Sequence, residues 1–346
     1  MIRENALKQT IKRFTPTGIR RAYRKLFPAN GISHLTPQMK KLKLLKETGE
    51  RFQPVLPDFP PMVRIETTTR CNLACTHCPN SVLSGNPDFL GDIDNELYFK
   101  IIDEIAAEAP DTVVRPFGGG EPLMKKDIAK LIKYASDKGV KHLGLNSNGL
   151  ILIPKKRKEL IEAGLSNLEV SIDAATKEAY RKIRQSDLFD RVVANTLAYI
   201  EESKAYNPSN IVTVSFVLQN DNRAEVDQFR DFWTGKADDV LIRDYHHHNE
   251  LVDDHGRFKT RDFKYRPPCP FLWYRMSVHI DGTAKFCEYD WEAKHGIGDL
   301  KTHTIKEIWH GERLNALRRE HVCGTFDYPF CNSCRDWKEV RWPTQY

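Results

Sequence analysis

The 346-residue chain contains no apolar run near the roughly 20 residues that a membrane-spanning helix needs. Its N-terminus also lacks the apolar stretch and small-residue cleavage site of a secretory signal, so we expect a cytoplasmic protein. Cysteine is missing between positions 79 and 268, although the chain has eight cysteines in all. Cysteines grouped in this way, without a secretory signal, indicate metal ligation more than disulfide bonds.

A net positive charge is missing from most of the chain. The formal charge is +6, but residues 1–60 alone contain 13 Lys or Arg and 4 Asp or Glu. The remaining 286 residues therefore have a net charge of −3. This distribution argues against a basic nucleic-acid groove on the main body, and thus against an RNA-modifying enzyme. We expect no nucleic-acid partner.

The basic charge belongs to an N-terminal segment. Residues 1–50 alternate apolar and basic positions at helical spacing, interrupted by Pro16 and Pro28, and residues 52–61 are rich in proline. We interpret residues 1–61 as a basic helical arm followed by a linker. Two alternatives stay open: a solvated arm packed on the protein, or peripheral contact with an anionic membrane surface or acidic partner.

From residue 62 onward, apolar strand-like runs alternate with helical patterns. The predicted strands are Met62–Thr68, Thr112–Phe117, His142–Asn146, Leu168–Ile172, Ile211–Leu218 and Val240–Tyr245. The predicted helices between them cover residues 95–109, 125–138, 155–164, 187–205 and 223–234. This order predicts an α/β fold with a parallel sheet, curled into a partial (β/α)6 barrel over residues 62–264. Ligands of such sheets bind at the carboxyl ends of the strands.

The pattern changes after residue 264. Strand-like runs at Ser277–Ile280 and Thr283–Phe286 flank Asp281-Gly282, which is a strong β-hairpin signal. A helix is predicted over residues 304–320, and a cysteine-rich end follows. We expect residues 265–346 to form a small second module of a β-hairpin and helix.

Three cysteines directly follow the first predicted strand. Cys71, Cys75 and Cys78 have the spacing C-x3-C-x2-C. Three thiolates on one loop can hold three irons of a [4Fe–4S] cluster and leave the fourth iron open to an exogenous ligand. The alternative is a zinc site that uses Cys75, Cys78 and His77. The third cysteine and the position on a βα loop favour the cluster.

This motif resembles the signature of the radical S-adenosylmethionine (SAM) superfamily, with His77 in the slot before the last cysteine. The next predicted strand ends in a glycine-rich turn that resembles a second element of that family, one that meets the methionine amino group of SAM. The turn consists of Gly118, Gly119, Gly120, Glu121 and Pro122. Glycines suit that role because the ligand approaches the main chain closely.

The resemblance extends over residues 62–246 and implies further contacts with SAM. They are expected from His77 in the cysteine motif, from Asn148 after the third strand, from Ser171 at the end of the fourth, and from Arg184. It also implies a low-potential electron donor that resembles flavodoxin or ferredoxin. The donor reduces the cluster, SAM is cleaved to a 5′-deoxyadenosyl radical, and the radical removes a hydrogen atom from the substrate.

Four cysteines in the last quarter form a second set. Cys269, Gly282 and Cys287 have the spacing C-x12-G-x4-C, and Cys331 and Cys334 form C-x2-C. Four thiolates are enough for a fully ligated [4Fe–4S] cluster, and a structural zinc site is the alternative. The pattern resembles the auxiliary-cluster module called SPASM, in its shortened form called twitch.

Cys323 is left over, and the sequence leaves its role open. A surface thiol, an alternative ligand and a hydrogen-atom donor to a substrate radical are the three interpretations. The reaction is open in the same way. A fully ligated auxiliary cluster could accept the second electron of an oxidation, whereas a donor thiol at Cys323 would make the reaction an epimerisation.

The substrate is expected to be a polar small molecule, such as a sugar or an aminocyclitol. Modification of a ribosomal peptide is the alternative, although the N-terminal arm is too short for a winged-helix peptide-recognition domain. Candidate substrate contacts lie at the ends of the predicted strands: Arg115, Asp244, Tyr245, His246, His247 and His248. Because neighbouring side chains of an extended segment point to opposite sides, at most two of the three histidines can face one pocket.

Overall fold

The computed structural model describes residues 54–248, 251–252, 266–338 and 340. Nine strands of this part form one sheet in the order β6-β5-β4-β3-β2-β1-β7-β8-β9. The strands are β1 Met62–Ile65, β2 Val113–Arg115, β3 His142–Ser147, β4 Asn167–Ser171, β5 Ile211–Val217, β6 Asp239–Arg243, β7 Arg275–Val278, β8 Thr283–Lys285 and β9 Gly296–Asp299. Strands β1 to β6 are parallel to their neighbours. The predicted parallel α/β sheet is thereby confirmed.

Helices alternate with the parallel strands. They are α1 Asn80–Leu83, α2 Asn95–Glu108, α3 Ile128–Asp137, α4 Pro154–Glu162, α5 Lys177–Arg184, α6 Phe189–Tyr206 and α7 Val226–Trp233. The C-terminal part adds α8 Phe271–Tyr274, α9 Ile305–Trp309, α10 Glu312–Cys323 and α11 Pro329–Asn332. The five helices predicted between the strands are all present, with ends that shift by up to three residues.

The two faces of the parallel sheet differ in polarity. On the face toward the helices, the side chains are apolar and buried: Val63, Ile65, Val114, Leu143, Leu145, Leu168, Val170, Val212, Val214 and Phe216. The positions between them face the interior of the curled sheet and are mostly polar: Arg64, Arg115, Asn146, Glu169, Ser171, Thr213, Ser215 and Arg243. The strand period of two therefore separates a hydrophobic core from a polar concave face.

Contacts that skip a strand demonstrate the curvature. Arg243 on β6 donates two hydrogen bonds to Glu169 on β4, at 2.6 and 2.9 Å, although β5 lies between these strands. Arg115 on β2 comes within 4.0 Å of the same carboxylate across β3. Contacts between side chains of strands that are not neighbours are expected where the sheet curls toward this face.

The C-terminal hairpin continues the same sheet. Strand β7 is parallel to β1, and β8 and β9 are antiparallel to their neighbours. The predicted turn at Asp281-Gly282 is confirmed, because Gly282 has φ +94° and the Asp281 carboxylate accepts a hydrogen bond from Thr283 N at 2.8 Å. The boundary between domains at residues 264 and 265 stays a prediction, since residues 253–265 lie outside the described part.

Three local predictions were wrong or incomplete. The single helix predicted over residues 304–320 is two helices, because Gly311 takes an extended conformation with ψ 152° between α9 and α10. Helix α5 was missed because its eight residues are mostly polar; its N-terminal signal is Thr176, whose hydroxyl accepts from Ala179 N. The short strand β9 was also missed.

The N-terminal arm lies outside the described residues. The predictions of a helical arm and of its membrane contact therefore stay predictions. In the part of the chain that the structure describes, no helix is both long and apolar enough to cross a bilayer.

Two glycines give a direct test of the packing behind β3. Gly149 has φ +77°, and a Cβ there would lie 2.7 Å from Val192 Cγ2 and 2.9 Å from Val170 Cγ1. Gly139 has φ +87° with nothing within 4 Å of that position. We expect Gly139→Ala to cost about 1 kcal/mol from the left-handed conformation alone. Gly149→Ala should cost a further ~1–3 kcal/mol from overpacking. Urea unfolding of both variants measures this difference, and equal losses would contradict it.

Candidate active site at the carboxyl ends of the strands

The first cysteine loop leaves β1 and is held by its neighbours. Thr76 N donates to Ile183 O of α5 at 3.0 Å, and Cys78 N donates to Cys75 O at 3.2 Å. The buried Asn80 side chain donates to Thr69 O at 2.6 Å. The Asn80 bond therefore joins the two ends of the loop, and the Thr76 bond anchors its middle to α5.

The three thiols of this loop lie close to one another in a buried environment. Burial raises the pKa of Cys71 to about 11 and of Cys78 to about 12, and the neighbouring sulfur of Cys75 adds to both shifts. Burial also raises the pKa of Cys75, against the nearby positive charge of Arg184. Protonated, buried thiols are the state expected before a metal replaces the protons.

The donor set of this loop fits a cluster with one open iron. Three soft sulfur donors on a single loop are the ligand type that iron–sulfur clusters use. Among the residues that the structure describes, no group of three or more His, Cys, Asp or Glu is arranged to hold a single metal ion. The fit therefore rests on the number, type and proximity of the thiols.

Glu121 connects the glycine-rich turn to the end of β3. Its carboxylate is 3% exposed and accepts from Ser147 Oγ at 2.8 Å, Asn148 N at 2.7 Å and Leu123 N at 3.1 Å. Burial raises the pKa of Glu121, and these three donors act in the opposite direction. Three hydrogen bonds to a buried acceptor fix two strand ends relative to each other.

Asn148 extends this connection to the cysteine loop. Its Nδ2 donates to Asn72 Oδ1 at 2.7 Å, and its own Oδ1 accepts from Leu150 N at 3.0 Å. Glu121 N in turn donates to Arg70 O at 2.8 Å, just before Cys71. The structure thus brings together the cysteine loop, the glycine-rich turn and the predicted SAM contact Asn148.

The three glycines of the turn are required by protein packing. A Cβ on Gly120 would lie 2.5 Å from both Thr68 O and Arg70 O, and one on Gly119 would lie 2.6 Å from the Trp291 ring. A Cβ on Gly118 would overlap the Glu66 side chain, at 2.6 Å. The sequence explained these glycines by approach of a ligand, whereas close approach of neighbouring protein accounts for them here. Pro122 begins the buried 3₁₀ turn that follows.

Arg184 and Asp173 form a buried ion pair beside the cysteine loop. Arg184 Nη2 lies 2.7 Å from Asp173 Oδ2, and Nη1 lies 3.5 Å from Cys75 Sγ. Burial alone would lower the pKa of Arg184, but Asp173 and Cys75 raise it above its ordinary value. Burial raises the pKa of Asp173 despite this partner. A fixed positive charge therefore lies against the cysteine sulfur.

The remaining predicted contacts surround this pair. His77 Nε2 lies 3.4 Å from Asp173 Oδ2, and its Nδ1 is 3.3 Å from Gln219 Nε2. Ser171 is the last residue of β4 and accepts a hydrogen bond at 3.2 Å from Ser215 Oγ on the neighbouring strand β5. Both therefore lie at the same edge of the sheet as Arg184, and their roles toward SAM stay predictions.

Gln185 takes an unusual conformation directly after Arg184. Its φ is +54°, the left-handed region that favours glycine, and it ends helix α5. Its side chain compensates by donating to Lys182 O at 2.6 Å. The helix end is therefore preserved at this position even though glutamine stands where glycine is usual.

The second cysteine set lines a single pocket. Cys269 precedes α8, Cys287 follows β8, Cys331 lies in α11 and Cys334 follows it. The other lining residues are mainly aromatic or apolar: Phe271, Leu272, Phe286, Tyr289, Phe330, Trp337 and Val340, with Arg266 and His321 as the polar members. Burial raises the pKa of all four thiols, to about 12 for Cys269. Four thiols around one apolar pocket fit a fully ligated cluster.

Cys323 is the last residue of α10 and is exposed to solvent. It does not line the pocket of the four thiols, although His321, two residues earlier, does. The structure favours the surface-thiol interpretation, and the donor role stays an untested prediction.

The histidine run contacts the C-terminal part of the chain. His246 Nδ1 lies 3.0 Å from Tyr289 Oη, and His247 N donates to Asp336 Oδ1 at 2.7 Å. His248 packs edge-on against Tyr289 and Trp291, and burial lowers its pKa to about 3. The segment is not a solvated loop, because it packs against residues that follow the β7–β8 hairpin. These long-range partners leave no local signal in the sequence. The predicted contacts with a substrate stay predictions.

The concave face holds an arginine-rich network that the sequence revealed only through Arg115. Arg115 Nη1 donates to Asn146 Oδ1 at 2.7 Å. Arg64 forms an ion pair with Glu288, and Arg275 Nη2 lies 2.9 Å from Oε1 of the same carboxylate. Burial lowers the pKa of Arg64 to about 9, and the charge of Arg275 adds to that shift. These residues alternate with apolar ones along their strands, and that alternation was the available signal.

These features define an iron–sulfur enzyme that uses SAM. The family model of the radical SAM superfamily matches residues 65–232, and that of an iron–sulfur cluster-binding domain, SPASM, matches residues 269–335. Residues 65–232 therefore belong to the radical SAM superfamily, and residues 269–335 form a SPASM domain. A radical SAM domain implies SAM and a [4Fe–4S] cluster, and a SPASM domain implies further iron–sulfur clusters.

Among curated proteins, the chain is 31% identical over 212 residues to molybdenum cofactor biosynthesis protein moc-5 of Caenorhabditis elegans. This match covers 58% of the chain and 34% of moc-5. Across the first such relatives, the chain spans between about a third and a half of their length.

Two solved structures have the same fold. BtrN in complex with AdoMet and 2-DOIA has a TM-score of 0.55 at 17% identity, covering 80% of this chain and 92% of BtrN. Streptococcus suis SuiB bound to S-adenosylmethionine has a TM-score of 0.60 at 14% identity, covering 96% of this chain and 82% of SuiB.

Cysteine substitutions test the two assignments separately. We expect Cys75→Ser to lose the cluster with the open iron, and Cys287→Ser to lose the auxiliary one, so that iron and sulfide contents each fall to roughly half. Cys323→Ser is the matched control and should retain both clusters. Iron and sulfide analysis with electron paramagnetic resonance (EPR) after anaerobic reconstitution measures this. Loss of a cluster in Cys323→Ser would contradict the assignment.

Proposed function

We propose that this protein is a dehydrogenase that oxidises a polar small molecule, of the sugar or aminocyclitol type, by radical chemistry. When bound, SAM and its cluster would supply a 5′-deoxyadenosyl radical that removes one hydrogen atom from the substrate. The substrate would then lose one proton and one electron, and the electron would go to a cluster held by Cys269, Cys287, Cys331 and Cys334. An alcohol would become a ketone, and the product would be two hydrogens lighter.

The observation that carries this proposal is the pocket of four thiols. Cys269, Cys287, Cys331 and Cys334 line one cavity, which is enough to ligate every iron of a [4Fe–4S] cluster. A cluster without an open iron has no position for a substrate, so it is suited to electron transfer. An electron acceptor within the chain favours oxidation over a redox-neutral rearrangement.

In this proposal, the residues of the first site hold charge and exclude water. Arg184, paired with Asp173 and next to Cys75, offers a fixed cation for a carboxylate such as that of SAM. Glu121 and Asn148 hold the glycine-rich turn beside the cysteine loop. Positioning of this kind limits the paths open to a reactive radical.

The polar concave face supports a polar substrate. Arg115 is hydrogen-bonded to Asn146, Arg243 is hydrogen-bonded to Glu169, and a 4.0 Å ion pair between Arg115 and Glu169 connects the two pairs. Such donors and acceptors can bind hydroxyl groups, whereas a hydrophobic substrate would leave them desolvated without compensation. The net negative charge outside the N-terminal segment continues to argue against a nucleic-acid substrate.

Solved structures of the same fold support two substrate classes. BtrN was solved in complex with AdoMet and 2-DOIA, and the chain covers 92% of it. SuiB was solved bound to its precursor peptide SuiA, with a TM-score of 0.59, which supports peptide modification as the second candidate. The polar network of the concave face favours the small molecule. The reductant in this proposal is a flavodoxin- or ferredoxin-like protein.

A turnover experiment tests the oxidation. Anaerobic enzyme with SAM and candidate sugars or aminocyclitols should give a product two mass units lighter for each 5′-deoxyadenosine formed, as measured by mass spectrometry. Cys287→Ser should still form 5′-deoxyadenosine but lose the oxidised product, because the second electron has no acceptor. A product of unchanged mass with inverted stereochemistry would contradict the proposed oxidation.

Substitution of Cys323 tests the alternative epimerisation. We expect Cys323→Ala to turn over at the wild-type rate, because the thiol is exposed and a dehydrogenation needs no hydrogen-atom donor. The measurement is the rate of product formation in deuterium oxide, with deuterium incorporation at carbon as the second readout. Loss of turnover, or carbon-bound deuterium that requires Cys323, would instead support the donor role.

A further inference from the structure

A buried histidine forms part of the wall of the auxiliary pocket. His321 is 1% exposed, lies in the last turns of α10 and lines the pocket together with the four cysteines. Phe326 packs edge-on against its ring, with centroids 4.8 Å apart. The ring is therefore held in one orientation, next to the sulfur ligands.

One hydrogen bond defines the tautomer of this ring. The amide of Cys269 donates to His321 Nδ1 at 3.0 Å. A backbone N–H can only donate, so Nδ1 is an acceptor and the ring proton is on Nε2. His321 Nε2 is buried and has no hydrogen-bond partner among the described residues.

A buried N–H without a partner is costly, and native structures normally supply one. The pocket beside His321 is lined mainly by aromatic and apolar side chains and by four thiols, so sulfur is the acceptor that a bound cluster would bring there. We propose that His321 Nε2–H donates a hydrogen bond to sulfur of the auxiliary cluster and thereby raises its reduction potential. This inference rests on the proposed assignment of Cys269, Cys287, Cys331 and Cys334 as cluster ligands.

The direction of the effect follows from charge. Reduction adds one electron to the cluster, and a hydrogen-bond donor to sulfur stabilises the more negative state. The apolar walls strengthen that bond because they exclude competing water. A higher potential makes the auxiliary cluster a better acceptor of the substrate's second electron. Arg266 also lines the pocket, but it is the same in every variant compared below.

Two amide substitutions separate the proposed hydrogen bond from simple packing. The Asn side chain places its amide about where Nδ1 lies in histidine, so His321→Asn keeps an acceptor for Cys269 N and removes the distal donor. The longer Gln side chain places an N–H about where Nε2 lies, so His321→Gln keeps the distal donor. His321→Phe removes both functions and retains an aromatic ring.

The experiment is a potentiometric titration of full-length protein with both clusters, followed by EPR under anaerobic conditions. We expect the auxiliary cluster of His321→Asn and of His321→Phe to have a lower potential than wild type, with His321→Gln close to wild type. The SAM-site cluster in the same samples is the internal control and should not shift.

Each other outcome is decisive. Unchanged potentials in all variants, or equal decreases in Asn and Gln, would overturn the hydrogen bond. Loss of auxiliary iron in both amide variants would instead identify His321 as an iron ligand or as a structural residue. That result would also overturn the proposed hydrogen bond. A wild-type protein with only one cluster would refute the assignment of the four cysteines, which is a separate failure.

Discussion

The alternation of apolar and polar residues along the parallel strands is the constraint on which the rest of this structure depends. Val63, Val114, Leu168 and Val214 bury one face against helices, so the positions between them must face the concave side. Parallel strands covered by helices on both faces are usually apolar throughout. Here only one face is covered in that way, and the other is free to carry arginines, carboxylates and amides at defined positions.

Buried polar groups then fix the loops that leave this sheet. Glu121 accepts two hydrogen bonds from the end of β3 and one from its own turn, and Arg184 joins α5 to Asp173 and to Cys75. Each of these charges is costly to bury and is retained only because its partners are in place. The loops that carry the cysteines and the glycine-rich turn are therefore positioned by the fold itself.

The sequence predicted what depends on local pattern and missed what depends on distant partners. Strand period, helix caps and cysteine spacing gave the six parallel strands, the hairpin at Gly282 and both cysteine sets. Helix α5 was missed because it has only eight residues and most of them are charged, although Ala179, Tyr180 and Ile183 do share one buried face. The packing of the histidine run against Tyr289 depends on residues far apart in the chain. So does the lack of room for a Cβ on Gly120, which would lie against Arg70 O. No window of sequence contains both partners of such contacts.

The two cysteine sites differ in their surroundings as well as in their number of thiols. Charged groups lie around the three-thiol loop. Arg184 contacts both Cys75 and Asp173, and Glu121 accepts a hydrogen bond from Asn148 N. Such surroundings suit a charged ligand that must be bound and oriented. Aromatic side chains line most of the four-thiol pocket. In the inference above, the buried ring N–H of His321 adjusts the reduction potential of a cluster bound there. In the proposed function, one site binds a molecule and the other exchanges an electron. A chain that contains both has the parts that a two-electron oxidation by a one-electron radical initiator requires.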